Sequence, residues 1–267
     1  MLLLIAGLAR STFYYQVNQL SQPERSATLC AEIVALYHRH KGRYGYRRIT
    51  LALRRSGWLV NHKRVQRLMQ QMRLISIVRP KKYRSYKVQE GRIAPNIIQR
   101  QFEAKRPNEK WVTDVTEFNV AGEKLYLSPL MDLYNGEILA YTMQRRPVLG
   151  LVTTMLDKAL KALPNDNYPL IHSDQGWQYQ HRSYQQKLKE KNLIQSMSRK
   201  GNCLDNAAME SFFGTLKSEL YYLQKWTSVK QLEEAISEYI MYYNNDRIKL
   251  KLKGLSPVQY RTQALAA

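Results

Sequence analysis

Residues 199–217 read Arg199-Lys200-Gly201-Asn202-Cys203-Leu204-Asp205-Asn206-Ala207-Ala208-Met209-Glu210-Ser211-Phe212-Phe213-Gly214-Thr215-Leu216-Lys217. A polar, glycine-bearing loop runs into apolar residues at helical spacing, and that helix carries one carboxylate, Glu210. Two earlier apolar runs end in an acid: Trp111-Val112-Thr113-Asp114 and Pro169-Leu170-Ile171-His172-Ser173-Asp174. On a strand, Asp114 shares a face with Val112, Thr116 and Phe118, where a carboxylate is costly unless paired or bound to metal. Asp174 closes its run where Gln175-Gly176 opens a loop. Any one of these acids, like Glu117, Asp132, Asp157 or Asp166, reads most simply as a cap or turn residue, and Asp205 reads as the N-cap of the Glu210 helix. Together, Asp114, Asp174 and Glu210 are expected to converge and hold divalent cations, which take oxygen ligands.

Around these acids the pattern is mixed. Residues 111–120, 124–133, 137–144, 168–172 and 193–197 read as strands, with Asn135-Gly136 as a hairpin signal. Residues 152–163, 181–191, the Glu210 segment and 229–243 read as helices. The order predicts an α/β fold, a mixed sheet with helices on its faces.

The N-terminal third is different. Residues 26–78 read as three helices, with Gly42 and Gly45 in one loop, Ser56-Gly57 ending the second helix and Asn61 capping the third. The helix–turn–basic helix outline is that of a helix-turn-helix, although plain helical hairpins share it. Charge favours DNA. Lys plus Arg number 42 against 21 Asp plus Glu, a net +21, and residues 39–87 hold 16 Lys or Arg and no acid. Lys63, Arg64 and Arg67 lie off the apolar face of the third helix. Residues 79–87 then place Lys81, Lys82 and Arg84 among tyrosines, a linker able to track phosphates. Residues 1–25 read as a short helical segment, either the end of a preceding DNA-binding unit or an anchor on the next domain. The apolar start, residues 1–9, is too short to span a bilayer. Cys30 and Cys203 form no disulfide framework or zinc pattern, a usage that fits a reducing cytosol, and His38 and His40 read as surface groups.

The spacing gives the pattern a family. Fifty-nine residues separate Asp114 from Asp174 and 35 separate Asp174 from Glu210. Asp, Asp, 35 residues, Glu resembles the signature of DDE transposases and retroviral-type integrases. Trp111-Val112-Thr113-Asp114-Val115-Thr116-Glu117-Phe118, His172-Ser173-Asp174-Gln175-Gly176 and Asp205-Asn206-Ala207 leading to Glu210 resemble the second-frame product (OrfB) of the IS-three family of bacterial insertion sequences. So do Tyr242-Tyr243-Asn244-Asn245 with Arg247, and Leu255-Ser256-Pro257-Val258-Gln259-Tyr260. The resemblance runs from about residue 26 to 262. It departs at Trp177, where the family carries a small residue.

That resemblance implies a ribonuclease H-like core at 108–267, a helix-turn-helix-like DNA-binding domain at 26–78, and a basic linker at 79–107. It implies Asp114, Asp174 and Glu210 as ligands of two Mg²⁺ or Mn²⁺ ions and as the catalytic residues of DNA cleavage and strand transfer at insertion-element ends, without a covalent intermediate. Lys217, seven residues after Glu210 on nearly the same helix face, is placed to hold a phosphate or base, and Arg199 and Lys200 to steer DNA. Implied partners are element-end and target DNA, further copies of the chain, and a first-frame product, in the bacterial cytoplasm on the nucleoid. The competing reading is a non-catalytic DNA-binding remnant, which gives no reason for all three acids to persist. A tyrosine recombinase, from His40-Lys41-Gly42-Arg43 and 19 tyrosines, ranks below both.

Overall fold

Pro129 decides where the central sheet opens. In the computed structural model, which describes residues 9–14, 26–77, 93–99, 101–164, 166–199 and 203–266, β1 (Lys110–Thr113) and β2 (Thr116–Val120) pair with the same strand, β3 (Glu123–Asp132). Thr113 faces Leu130 and Thr116 faces Leu127, so one antiparallel register sets Asp114 opposite Pro129. Proline has no N–H for the ladder. The single strand read over 111–120 is therefore two strands, with Asp114 and Val115 in the gap. Thr113 Oγ1 closes the near side by donating to Pro129 O at 2.9 Å.

The sheet runs β4 (Ile138–Gln144), β3, the β1 and β2 pair, β5 (Leu170–Ser173), β6 (Ile194–Met197). β5 and β6 are parallel to β1, and β3 is antiparallel to its neighbours, so the sheet is mixed as read. Period-two alternation sends the side chains to two cores. Val112, Phe118, Leu125 and Leu127 pack with Met209, Phe212 and Leu216 of α7 (Ala207–Glu219) and Ile236 of α8 (Val229–Asn245). Trp111, Leu130 and Ile171 pack with Val152 and Met155 of α4 (Leu149–Ala162) and Tyr184 of α6 (Arg182–Glu190). Between β5 and α6 lies the short α5 (Trp177–Gln180).

Residues 93–99, inside the stretch read as linker, lie along β6. Ile97 N–H donates to Ser196 Oγ at 2.9 Å and Met197 N–H to Pro95 O at 3.3 Å. The chain divides into two units between Ser76 and Ile77. The first holds α1 (Ala27–Arg39), α2 (Tyr46–Arg55) and α3 (His62–Gln71), packed through Ile33, Ile49, Leu53, Val65 and Leu68. Asn61 caps α3 as read, its side chain accepting from Lys63 N–H at 2.9 Å. His40 corrects the surface reading. It is 7% exposed, stacked on Tyr44 with ring centres 3.7 Å apart, and burial with Arg39, Arg43 and Arg48 nearby lowers its pKa to about 4. His40 and the equally buried Arg43 thus belong to the core of the helical unit.

The closing motif is structural. Asn244 bonds both backbone groups of Ile138 at 3.0 and 2.9 Å, and Asn135 donates to Pro257 O at 2.9 Å. Lys249 Nζ donates to Gly136 O at 3.0 Å, and burial, then Arg247, lowers its pKa to about 7. The β3–β4 turn at Asn135-Gly136 is thus clasped by α8, the segment after it and α9 (Pro257–Ala266). Gly136 sits at φ +68°, a left-handed conformation that other residues rarely adopt. Beneath, Glu219 accepts from Arg247 at 2.9 and 2.7 Å and from Tyr239 at 2.8 Å, all three buried. Removing one partner of a buried pair strands the other charge. Glu219→Gln is therefore expected to cost about 3–5 kcal/mol in urea unfolding, and an unchanged midpoint would show that the pair does not hold this segment.

Candidate active site

The parallel pairing of β1 with β5 builds the site. Trp111 faces Ile171 and Val112 faces His172, and two residues further the same register sets Asp114 beside Asp174, past the C-terminal ends of both strands. Adjacent strands lie about 4.8 Å apart. Both acids are half-buried. Asp114 Oδ1 accepts from Val115 N–H at 2.7 Å and Asp174 Oδ1 from Gly176 N–H at 2.9 Å. Gly176 permits that approach, since a Cβ there would stand 2.9 Å from Asp174 Oδ1. Burial, then Asp174, holds the Asp114 carboxyl well above the usual range; its Val115 hydrogen bond opposes this, Glu210 adds to it, and Lys217 opposes it. Burial also raises Asp174. Glu210, half-buried in the first turn of α7, lies in the field of Asp114.

What fixes α7 against β1 was not read from the sequence. Asn206, 4% exposed and one turn before Glu210, donates from Nδ2 to Thr113 O at 3.3 Å, next to Asp114. Its Oδ1 is buried without a hydrogen-bond partner. His172 ties β5 to the same loop: Nε2 donates to Asp205 O at 2.8 Å, and Nδ1, 2.9 Å from Ser196 Oγ, accepts. Burial lowers the His172 pKa, so the ring stands there neutral. Asp205 is not the N-cap of the Glu210 helix; that position is Asn206, with no side-chain cap. The Asp205 carboxylate instead takes Arg199 Nε at 2.9 Å and Nη2 at 3.1 Å, Arg199 N–H at 3.0 Å and Asn96 Nδ2 at 3.0 Å.

The residues expected to meet DNA fall in both units. Lys217, half-buried on α7, donates to Glu117 O at 3.1 Å and stands 5.0 Å from the Phe118 ring centre. Lys63, Arg64 and Arg67 are exposed on α3, with Arg64 donating to Ser26 Oγ at 3.0 Å. Lys81, Lys82, Arg84 and Lys200 lie outside the described residues. Among the described residues, no three His, Cys, Asp or Glu side chains stand together as a ready metal cage. The oxygen-only donors Asp114, Asp174 and Glu210 nevertheless suit a hard cation, whose charge would relieve the repulsion that raises Asp114.

Two carboxylates on adjacent parallel strands, faced by a glutamate helix, define an integrase-type core. Integrase core domain models match residues 104–203 and 210–265, and an HTH-like domain model matches 24–82. The chain is 55% identical over 262 residues to the Escherichia coli K12 protein described as transposase InsK of insertion sequence element IS150, covering 98% of this chain and 93% of that one. It is 55% identical over 77% of its length to a transposase-like protein of Haemophilus influenzae, covering 95% of that protein, and 32% identical over 98% to transposase InsF of IS3A from Escherichia coli, covering 93%. The HTLV-2 integrase catalytic core domain in complex with magnesium aligns with a TM-score of 0.43 and 17% identity over 59% of this chain and 99% of that one. The chain belongs to the insertion-sequence transposases built on an integrase core. That family moves DNA by transposition and integration, and its chemistry is polynucleotidyl transfer.

The raised carboxyls set a sign for pH dependence. A carboxyl whose pKa rises on folding favours the folded state while protonated, and that contribution is lost as pH rises through the folded value. Metal-free Asp114→Asn should thus melt higher than wild type at pH 8, with the gain shrinking toward pH 4. Thermal scans in EDTA decide it, and a variant no more stable at pH 8 would contradict the crowding of Asp114.

Proposed function

We propose that Asp114, Asp174 and Glu210 hold two divalent cations, Mg²⁺ or Mn²⁺, and that the chain cuts insertion-element ends and joins them to target DNA. The carrying observation is the β1–β5 register, which brings two acids side by side despite their repulsion, with Glu210 in the same field. When bound, the cations supply activation of a water or DNA 3′-hydroxyl and stabilise the leaving oxygen of an in-line displacement. The chain's own residues do the rest. Asp114 and Asp174 give up the protons that burial favours, and Asn206 holds Glu210 in register with Asp114. Lys217, anchored on Glu117 O, offers its ammonium to a phosphate near the acids.

The domain roles follow from the same reading. Residues 26–78 bind DNA with Lys63, Arg64 and Arg67 on the exposed side of α3, and residues 79–107 carry Lys81, Lys82 and Arg84 along the backbone. Residues 108–267 do the chemistry, with Lys200 and the exposed edge of Arg199 guiding the strand. Two copies or more assemble on paired ends, with a first-frame product as fusion or partner, on the bacterial nucleoid. The non-catalytic alternative lacks a specific observation in its favour, because the acids and the struts that place them occur together.

The test is cleavage and joining of labelled insertion-element ends with Mg²⁺ or Mn²⁺ against EDTA, comparing wild type with Glu210→Gln. Metal-dependent products that fall to background in the variant, without a protein–DNA adduct, are expected. Products in EDTA, or a covalent adduct, would sink the mechanism.

A further inference from the structure

Trp177 is an aromatic side chain beside Asp174 that the catalytic reading leaves unused. Its side chain is 49% exposed, while the next three residues, Gln178, Tyr179 and Gln180, are buried. The turn beneath it is pinned at every step. Gly176 N–H bonds Asp174 Oδ1 at 2.9 Å, and Tyr179 N–H bonds Gly176 O at 3.0 Å. Gln180 Nε2 bonds Gln175 O, and Gln195 Nε2 bonds Tyr179 O at 2.8 Å. Tyr179 Oη lies 3.3 Å from Thr113 Oγ1, the residue before Asp114. The indole therefore projects from a rigid turn fastened to both strands that carry the paired acids.

A half-exposed tryptophan on a fixed turn presents a flat π face without a mobile loop to absorb it. Next to acids that act on a DNA strand, in a chain of net charge +21, the matching ligand is a nucleobase. Stacking suits this place because every base has a π face, so contact tolerates varied sequence. We propose that Trp177 is a stacking platform for an unstacked nucleobase beside the scissile or joining phosphate, and so helps choose where the strand is cut or inserted. This rests on the catalytic reading of Asp114, Asp174 and Glu210. The base comes from either the element end or the target strand.

The experiment uses the full chain and its tryptophan emission, titrated with a duplex bearing the element's terminal sequence and with an unrelated duplex. Trp58, Trp111 and Trp226 remain in Trp177→Phe as an internal reference. DNA should quench a long-wavelength component in wild type that Trp177→Phe lacks. By anisotropy, Trp177→Phe should bind within about threefold of wild type, and Trp177→Ala about tenfold more weakly, on the scale of one stacked base. The salt slope should be unchanged, because no phosphate contact is removed. The duplex that shows the loss identifies the source of the base. Equal DNA quenching in wild type and Trp177→Phe, or wild-type affinity of Trp177→Ala for both duplexes, would overturn the platform. Glu210→Gln should keep the quenching and lose the products, so failed chemistry in wild type would strike the catalytic reading alone.

Discussion

β1 and β5 lie side by side and parallel, and from that pairing the rest of the site follows. Hydrogen-bond register is a strong constraint, because slipping one residue would turn every core side chain to the other face. Trp111 and Ile171 must face α4 and α6 while Val112 must face α7, so the register cannot relax. Asp114 and Asp174 are then forced into proximity that their charges oppose. The hydrophobic packing of two cores holds together what electrostatics alone would separate.

The helix that brings Glu210 is held by polar struts, each of which crosses between elements. Asn206 reaches β1, His172 reaches the loop before α7, and Asp205 gathers Arg199 and Asn96. Neutral His172 is suited to this duty. It donates on one side and accepts on the other without bringing a charge near the acids, and its partner Ser196 receives the backbone of residue 97. A chain of contacts thus runs from the strap on β6 through β5 to α7. Lys217, bonded to Glu117 O, fastens the other end of the helix.

Much of this was legible from residue order. Period-two runs gave the strands and Asn135-Gly136 the hairpin, and the spacing of three acids pointed to the candidate site. The fold class could be read because the strand and helix signals agree with each other over long segments. Asp205 was misread because a cap and a strut share one local pattern, an acid just before a helix, and only Arg199 and Asn96 folding onto it tell them apart. His40 was misread because a histidine among arginines looks solvated until Tyr44 is found stacked on it. Asn206 left no signal of its own, since its partner Thr113 is 93 residues away. The closing motif was visible as a motif, but its role as a clasp on the β3–β4 turn required the contacts of Asn244, Lys249 and Pro257.

The gap that frees Asp114 is written on a different strand from Asp114 itself. Nothing in the stretch from Trp111 to Phe118 interrupts a strand; the missing donor belongs to Pro129, across the ladder. The geometry of the acid is therefore a property of a pair of segments. A transplant of the acid-bearing segment alone into another sheet would heal into continuous strand and carry its carboxylate along as cargo. The gap at Asp114 travels only with its partner strand β3, Pro129 included.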